Sequence, residues 1–485
     1  MKKIAIQFVV TLVFLTGSAA FSNTNKSITI KEKYSGRSQI YTEVGNHVGH
    51  WQTGVLISTE TASIYRDSEG YINYFAAGKM TVQFDESVTE AKALSMIQNM
   101  GSKIIKKQRT KGYYTISIPA HLTLFEAVEA YNNIPVVRFS EPSELIVENG
   151  PDSLVAVNQS TDITDKQWHL NNSGQNGPPG ADIKAHKAWE VTRGSKDVVI
   201  AIIDSGVDLN HPDLINKLLP QPADADWNFE NDSDKLPYES YDDHGTSAAG
   251  LAAAETGNKI GGDGVCPECL IMPIKINMLT GENQNRADAI NYVVDYQLNH
   301  PHIRIVINLS WRMSSGDFQA VRAAVDRAAA NNIPVIAASG NLAGAIDYPA
   351  KYASVIAIGA SSPCDELKSW ISCDGEDYWG SNFGPEQFIV APGVFMGTTT
   401  VLGGYTLSFN GTSAAAPVVA GGVGLILSLN KNLTLENIRE VLKATSDDAV
   451  GKVPDLIGHD EKMGWGRLNL ERAVNFVKTY FPMAL

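Results

Sequence analysis

Four segments of this chain are runs of aliphatic residues with almost no polar alternation: "DVVIAIID" (197–204), "IRIVINLS" (303–310), "IPVIAAS" (333–339) and "SVIAIGA" (354–360). A strand that is apolar on both faces must be covered on both, which is the pattern of parallel strands sandwiched by helices. Helical patterns lie between and beside them, among them "TSAAGLAAAE" (246–255) and "GDFQAVRAAVDRAAANN" (316–332). Strand and helix alternate over residues 161–478, so the expected fold is α/β, a doubly wound parallel sheet with helices on both faces. The apolar stretch "VVAGGVGLILSL" (418–429) reads as one of its buried helices.

In such a sheet, functional groups collect at the carboxyl ends of strands and the amino ends of helices. Asp204 closes the first run, and Asn341 follows Gly340 after the third. The pentapeptide G-T-S-A-A occurs twice, in "HGTSAAG" and "NGTSAAAP", placing His244 and Ser413 at two helix entrances. Each residue alone has a structural reading, as a strand-end acid, a turn amide or a helix-capping hydroxyl. Together they supply what a hydroxyl nucleophile needs. The serine requires an adjacent base, the base an acid that fixes its tautomer, and the oxyanion a prepared donor.

Composition narrows the partners. A net charge of −14 argues against nucleic acid or an anionic membrane, both of which reward basic patches. No H-E-x-x-H occurs, and "HPH" (300–302) reads as a loop, so zinc proteolysis is not indicated. The four cysteines fall as two local pairs, Cys266 with Cys269 and Cys364 with Cys373. Two short-loop disulfides pinning surface turns is the preferred reading. A C-x-x-C pair could instead be half of a zinc site, and spacing alone leaves three pairings open.

The blocks "AIIDSGVDLNHPDL", "HGTSAAG", "ASGN" and "NGTSAAAP", in this order, resemble the signature segments of the subtilisin-like serine proteases, and "MGWGRLNLERAV" extends the likeness to about residue 475. The resemblance implies a triad of Asp204, His244 and Ser413, with Asn341 as oxyanion donor, acting on protein or peptide substrates. Ser247 stands where many members carry histidine and is read as helix packing. "INLSWRMSSG" aligns with the family's substrate-binding edge strand, so Ser310, Trp311 and Arg312 are candidate substrate-binding residues. Trp311 resembles the kexin-like branch, whereas Arg312 stands where the family usually has glycine. The extra β-domain of the kexin-like branch is not expected after this region. Asp347 aligns near the base of the pocket for the residue before the scissile bond. It would favour Lys or Arg there, unless it pairs internally with Lys351 or Arg312. Structural Ca2+ is implied at Asp213 and at Asn258 in the loop "ETGNKIGGDG", with Asp165 or Asp162 as a third ligand.

Upstream, Lys2 and Lys3 precede the apolar run "IAIQFVVTLVFLT" and small residues around Ala20, the order of a secretory signal over 1–22. The run is shorter than the roughly 20 residues of a membrane span. Residues 23–76 carry no clear pattern. Residues 77–148 read as a β-α-β-β-α-β ferredoxin-like unit, with "SVTEAKALSMIQNMG" and "LTLFEAVEAYNN" as its helices. By pattern and position this unit resembles the family's inhibitory propeptide, which implies an intramolecular inhibitor. The polar stretch 149–160 is the expected linker and maturation site. The expectation is a secreted, extracellular or periplasmic monomer made as a pre-pro-protein, with no membrane anchor once the signal is removed.

Overall fold

The computed structural model describes residues 75–143 and 162–482 with their side chains, apart from 231–234, 239–242, 279–282, 314–315 and 449–456. It adds the backbone of strands within 27–74, 144–147, 156–157 and 280–282. The predicted signal and most of the linker lie outside the described residues.

Residues 23–76, patternless as sequence, contribute strands. β1 (Ser27–Lys31), β2 (Ser38–Glu43) and β5 (Ala62–Arg66) extend an antiparallel sheet beside the long β6 (Ile72–Phe84), while β3 (His50–Gln52) pairs with β4 (Val55–Ile57). The ferredoxin-like order then follows: β6, α1 (Glu90–Asn99), β7 (Ile104–Lys107), β8 (Tyr113–Ser117), α2 (Leu124–Asn132) and β9 (Val137–Val147). Both helices start on a threonine cap. Thr123 and Glu126 complete a reciprocal capping box that satisfies N–H groups at the start of α2. Met80, Val82, Ile97, Phe125 and Tyr131 form the small core between sheet and helices.

Beyond β10 (Ala156–Val157) and α3 (Ala185–Trp189) the chain builds the larger unit. Its elements are β11 (Val198–Asp204), α4 (His244–Ala253), β12 (Leu270–Lys275), β13 (Thr280–Glu282), α5 (Asn283–Asn299), β14 (Arg304–Leu309), α6 (Gln319–Ala330), β15 (Val335–Ala338) and β16 (Ile356–Ser361). After them come β17 (Gln387–Pro392), β18 (Met396–Thr400), β19 (Gly404–Phe409), α7 (Thr412–Leu429), α8 (Leu435–Thr445) and α9 (Leu470–Tyr480). Six strands form one parallel sheet in the order β12-β11-β14-β15-β16-β17. Alternation along β11 shows why its run is wholly apolar. Val198, Ile200 and Ile202 enter the core under α4 and α7, while Val199, Ala201 and Ile203 enter the one under α5 and α6. The chain leaves β11 to β12 on one side and returns to β14 on the other, so Asp204 ends a strand at the point where the sheet reverses direction. Among the described residues one helix, α7, is long and apolar enough to cross a membrane, and it is packed inside this core.

The two units dock through side chains and backbone. Tyr113 and Phe139 of the N-terminal unit join the core cluster of α5 and α6. The buried Glu141 carboxylate accepts from the Gln319 and Ala320 N–H groups (2.9 and 3.1 Å) at the start of α6. Asp288 of α5 accepts from the Arg109 N–H (2.9 Å) and the Thr110 hydroxyl (2.5 Å). The last residues of β9 pair antiparallel with β13, Val147 opposite Thr280 and Leu145 opposite Glu282, so one sheet runs from unit to unit.

Both short-range disulfides form, and no free cysteine is found among the described residues. Their settings differ. The Cys364–Cys373 bridge closes a surface loop, as expected. The Cys266–Cys269 bridge corrects the expectation of a surface turn, because both cysteines are fully buried in the α4–α7 core. Room for it is made by glycine: a side chain at Gly194 would approach the Cys266 sulfur to 2.6 Å, and one at Gly424 the Cys269 sulfur to 3.0 Å.

Candidate active site

Asp204 and His244 meet directly. His244 Nδ1 lies 2.7 Å from Asp204 Oδ1, and the Ser205 N–H donates to the same oxygen (2.8 Å). Asp204 is fully buried and His244 nearly so. The close approach of α4 to β11 depends on Gly245, where a Cβ would lie 2.0 Å from the Gly206 carbonyl oxygen. Phe409 packs edge-on against the imidazole with ring centroids 5.5 Å apart. These contacts fix the ring plane and suit Nδ1 as the protonated nitrogen, with Nε2 as the base.

Ser413, in the first turn of α7, is positioned by the proline in "NGTSAAAP". Pro417 sits four residues on and has no N–H to give the Ser413 carbonyl. The Ser310 hydroxyl gives one instead (2.9 Å), and in return the Ser413 hydroxyl donates to the Ser310 carbonyl (3.1 Å). Ser310 is itself held by Asn308 Nδ2 (3.0 Å) at the end of β14. A hydroxyl has one proton, so the bond from Ser413 to Ser310 must be exchanged before that proton can pass to an imidazole. Exchange of this kind on substrate binding is common in substrate-free sites.

Asn341 is oriented by its oxygen. Oδ1 accepts from the Thr412 N–H (2.9 Å) and hydroxyl (2.8 Å), which turns Nδ2 toward the 411–413 turn, 3.0 Å from where a Cβ on Gly411 would stand. Gly411 has φ +112°, a conformation side chains rarely adopt, so glycine is required there twice over. An amide donor and the amino end of α7 thus face one turn, the arrangement that stabilises developing negative charge.

The other predicted residues divide. Ser247 is buried, donates to the Thr399 carbonyl (2.8 Å) and accepts from Thr398 through its own carbonyl, so it packs α4 against β18. Trp311 turns its side chain away from any cleft, which leaves only its backbone for main-chain pairing with substrate. Its ring is buried, donates to the Ile203 carbonyl (2.9 Å) and lies 4.4 Å from the Arg286 guanidinium, so its side chain belongs to the core. Asp347 is buried, accepts from Asn382 Nδ2 (3.1 Å) and has Arg312 Nη1 at 3.8 Å.

The predicted calcium ligands come together only in part. Asp213 and Asn258 touch (2.5 Å), and burial pushes the Asp213 carboxyl up to about 7. Asn258 Nδ2 and the Gly262 N–H (3.2 Å) donate to this carboxylate, while the Asn258 oxygen accepts from the Ile260 N–H (3.2 Å), so a cation would need the amide to turn before it met the oxygens it prefers. Asp165 is the exception, lying exposed in an ion pair with Lys166 (2.9 Å), whereas Asp162 adjoins the 255–264 loop through a backbone bridge to Gly261. Among the described residues no group of three or more His, Cys, Asp or Glu is placed to hold a metal.

Residues 195–466 match the family described as the Subtilase family. The chain belongs to that family. Residues 72–143 match the Fervidolysin N-terminal prodomain, so the smaller unit of this subtilase is a prodomain. A Thermophilic serine proteinase of Bacillus sp. (strain AK1) is 30% identical over 407 residues, covering 83% of this chain and 88% of the relative. Thermitase of Thermoactinomyces vulgaris is 32% identical over 63% of this chain and 97% of its own. The Halolysin-like extracellular serine protease Nep of Natrialba magadii is 28% identical over 80% and 65%. The protein is a serine endopeptidase of the subtilisin type with an N-terminal prodomain.

Sequence reasoning missed three residues that serve the site. Asn382 holds the 340–344 loop by accepting from the Leu342 and Gly344 N–H groups (2.8 and 3.1 Å), Thr412 anchors Asn341, and Phe409 packs on His244. Phe409 and Thr412 lie within four residues of Ser413, so proximity to the motif was the available signal. Asn382 carries none.

Proposed function

We propose that this subtilase is a secreted endopeptidase that hydrolyses peptide bonds through Asp204, His244 and Ser413, and that it frees itself from its own prodomain. The observation that carries the reading is the 2.7 Å bond between buried Asp204 and His244 Nδ1, with Ser413 clasped by Ser310 beside the Asn341 amide. Ser413 Oγ attacks the carbonyl carbon as its proton passes to His244 Nε2, and Asp204 stabilises the imidazolium. The carbonyl oxygen takes the negative charge, facing Asn341 Nδ2 and the Ser413 N–H. His244 returns the proton to the leaving amine, releasing the C-terminal product and leaving an acyl-enzyme. Water, deprotonated by His244, then releases the acid and restores Ser413.

Maturation falls within residues 148–155 in this reading. Val147 is still paired with β13, while Ala156 is already paired with β19, so a cut between them separates the two units at existing anchors. Secretion rests on the signal pattern of residues 1–22 and on the oxidising setting that two disulfides require. Ca2+ would be held by Asp213 and by Asn258 with its amide turned to present the oxygen, with Asp162 rather than Asp165 nearby. When bound it would compensate the buried carboxylate and pin the 255–264 loop.

The test is to treat the secreted protein with a fluorophosphonate and map the adduct by peptide mass spectrometry. Label on Ser413 and loss of the prodomain are expected, whereas a folded protein that takes no label would sink the reading. Ser413→Ala should accumulate as the uncleaved precursor while Ser247→Ala still matures.

A further inference from the structure

The two oxyanion donors, Asn341 Nδ2 and the Ser413 N–H, come from different parts of the fold, one after β15 and the other at the start of α7. They converge at Gly411, where a Cβ would lie 3.0 Å from the first nitrogen and 3.5 Å from the second. Such donors act only when both are held at hydrogen-bond distance from the place where charge develops. Thr412 ties the Asn341 side chain to α7 directly. A third segment, 376–380 between β16 and β17, touches both sides as well. The Gly380 N–H donates to the Asn341 carbonyl (3.3 Å), and the Gly380 carbonyl accepts from the Ala343 N–H (2.8 Å). Four residues earlier, Glu376 Oε1 accepts from Asn410 Nδ2 (2.7 Å). Asn410 directly precedes Gly411, and its own oxygen accepts from the Phe395 N–H (2.6 Å).

Glu376 is itself firmly held. Lys368 and Asp374 form an ion pair (2.9 Å) with both side chains fully buried. Lys368 Nζ also donates to the Ser369 and Glu376 carbonyls (2.8 and 2.6 Å), so each of its three protons has an acceptor. The Glu376 N–H donates to Asp374 Oδ1 (3.0 Å), which fixes the Glu376 backbone at both its N–H and its carbonyl. The carboxylate is anchored too. Oε2 accepts from Nε1 of Trp379 (2.7 Å), a residue of the α4–α7 core, and Oε1 accepts from the Tyr378 hydroxyl (3.1 Å). Three donors thus converge on one side chain. A carboxylate can accept at both oxygens, whereas an amide offers only one.

We propose that Glu376 is a positioning residue for catalysis. Through Asn410 it sets the 411–413 turn, and with Gly380 in the same segment it holds that turn in register with Asn341. The inference rests on the endopeptidase reading above. Glu376 acts through Asn410 on the placement of the Ser413 N–H. Without the Glu376 oxygen, the Asn410 side chain keeps the Phe395 bond and a 3.5 Å contact with Tyr378. The turn can then drift relative to Asn341. Donors out of register stabilise the transition state less and leave the ground-state grip on the peptide unchanged, so the loss belongs in kcat and not in KM.

The test measures kcat and KM of the self-processed enzyme on succinyl-Ala-Ala-Pro-Leu-p-nitroanilide, with active sites titrated by a fluorophosphonate so that misfolded molecules are not counted. Glu376→Ala should lower kcat by roughly tenfold with KM close to wild type. Glu376→Gln still offers Asn410 an oxygen and should recover most of that loss. Asn410→Ala should show the same split, and it tests the route from its other end if Glu376→Ala fails to mature. In the Asn410→Ala background, Glu376→Ala should have little further effect. Wild-type kcat in either single variant, a loss confined to KM, or an undiminished Glu376→Ala effect in the Asn410→Ala background would overturn the positioning role. A folded wild type that takes no label and cleaves no peptide would overturn the endopeptidase reading itself.

Discussion

One amide at Asn341 serves two purposes. Its oxygen holds the N–H and hydroxyl of Thr412, and its nitrogen is thereby aimed at the 411–413 turn. Asn341→Ala removes both. The donor effect should lower kcat by about 10²–10³-fold, the size of the effect in subtilisin itself. The lost acceptor leaves the Thr412 N–H unpaired, adding a stability cost of about 1–3 kcal/mol. Kinetics and thermal melts on the same variant separate the two, and unchanged kcat would remove Asn341 from the oxyanion site. The identity of Asn341, Asp204, His244 and Ser413 was legible because short motifs surround each of them. The clasp between Ser310 and Ser413 was half legible, since Pro417 announces an unsatisfied carbonyl without naming its donor. The place of Trp311 was not legible, because a tryptophan after a strand can face a cleft or a core, and the Ile203 carbonyl and Arg286 that decide it are remote in sequence.

At the scale of elements, the parallel strands were the most readable part, since runs buried on both faces leave one arrangement. β7 was harder: "IIKK" is mostly exposed and has no alternation to betray it. β12 contains Pro273 and ends on Lys275, so its composition hides a sheet strand. The start of α6 depends on another unit. Phe318 provides no side-chain cap, and Glu141 of the prodomain bonds two of the first N–H groups. Glu141→Gln keeps an acceptor but loses the charge that favours a helix amino end, and should weaken docking by about 1–2 kcal/mol. Faster release of the prodomain, followed by activity appearing earlier during maturation, would check it, and an unchanged release rate would count against the cap. The surface bridge Cys364–Cys373 closes a separation of nine residues, so replacing both cysteines by serine should cost about 2–3 kcal/mol by loop-closure entropy. Urea unfolding of that variant against the parent measures the loss.

Over the whole molecule, the least readable property was how the two units bind, because docking depends on residues far apart in sequence. Nothing local to "RADAINYVV" marks Asp288 as a socket for Arg109 and Thr110. That socket makes precursor stability depend on pH. Burial raises the Asp288 carboxyl above its ordinary value of 3.8, against the opposing pull of hydrogen bonds from Thr110, Arg109 and Gln284. Between the ordinary and the raised value the folded precursor holds a proton that the unfolded chain has lost, so stability falls as pH rises across that window. The contribution is fully present below 3.8 and lost as pH passes the raised value. Asp213, Asp263 and Asp365 are raised by burial too, so the overall profile mixes several acids. The Asp288→Asn difference isolates one of them. In the Ser413→Ala precursor, which should keep both units joined, the urea midpoint should decline from about pH 4 upward, and Asp288→Asn should flatten that decline. An identical slope in the two proteins would mean that Asp288 binds its proton alike in the folded and unfolded chain, and the pH dependence would have to be sought among Asp213, Asp263 and Asp365.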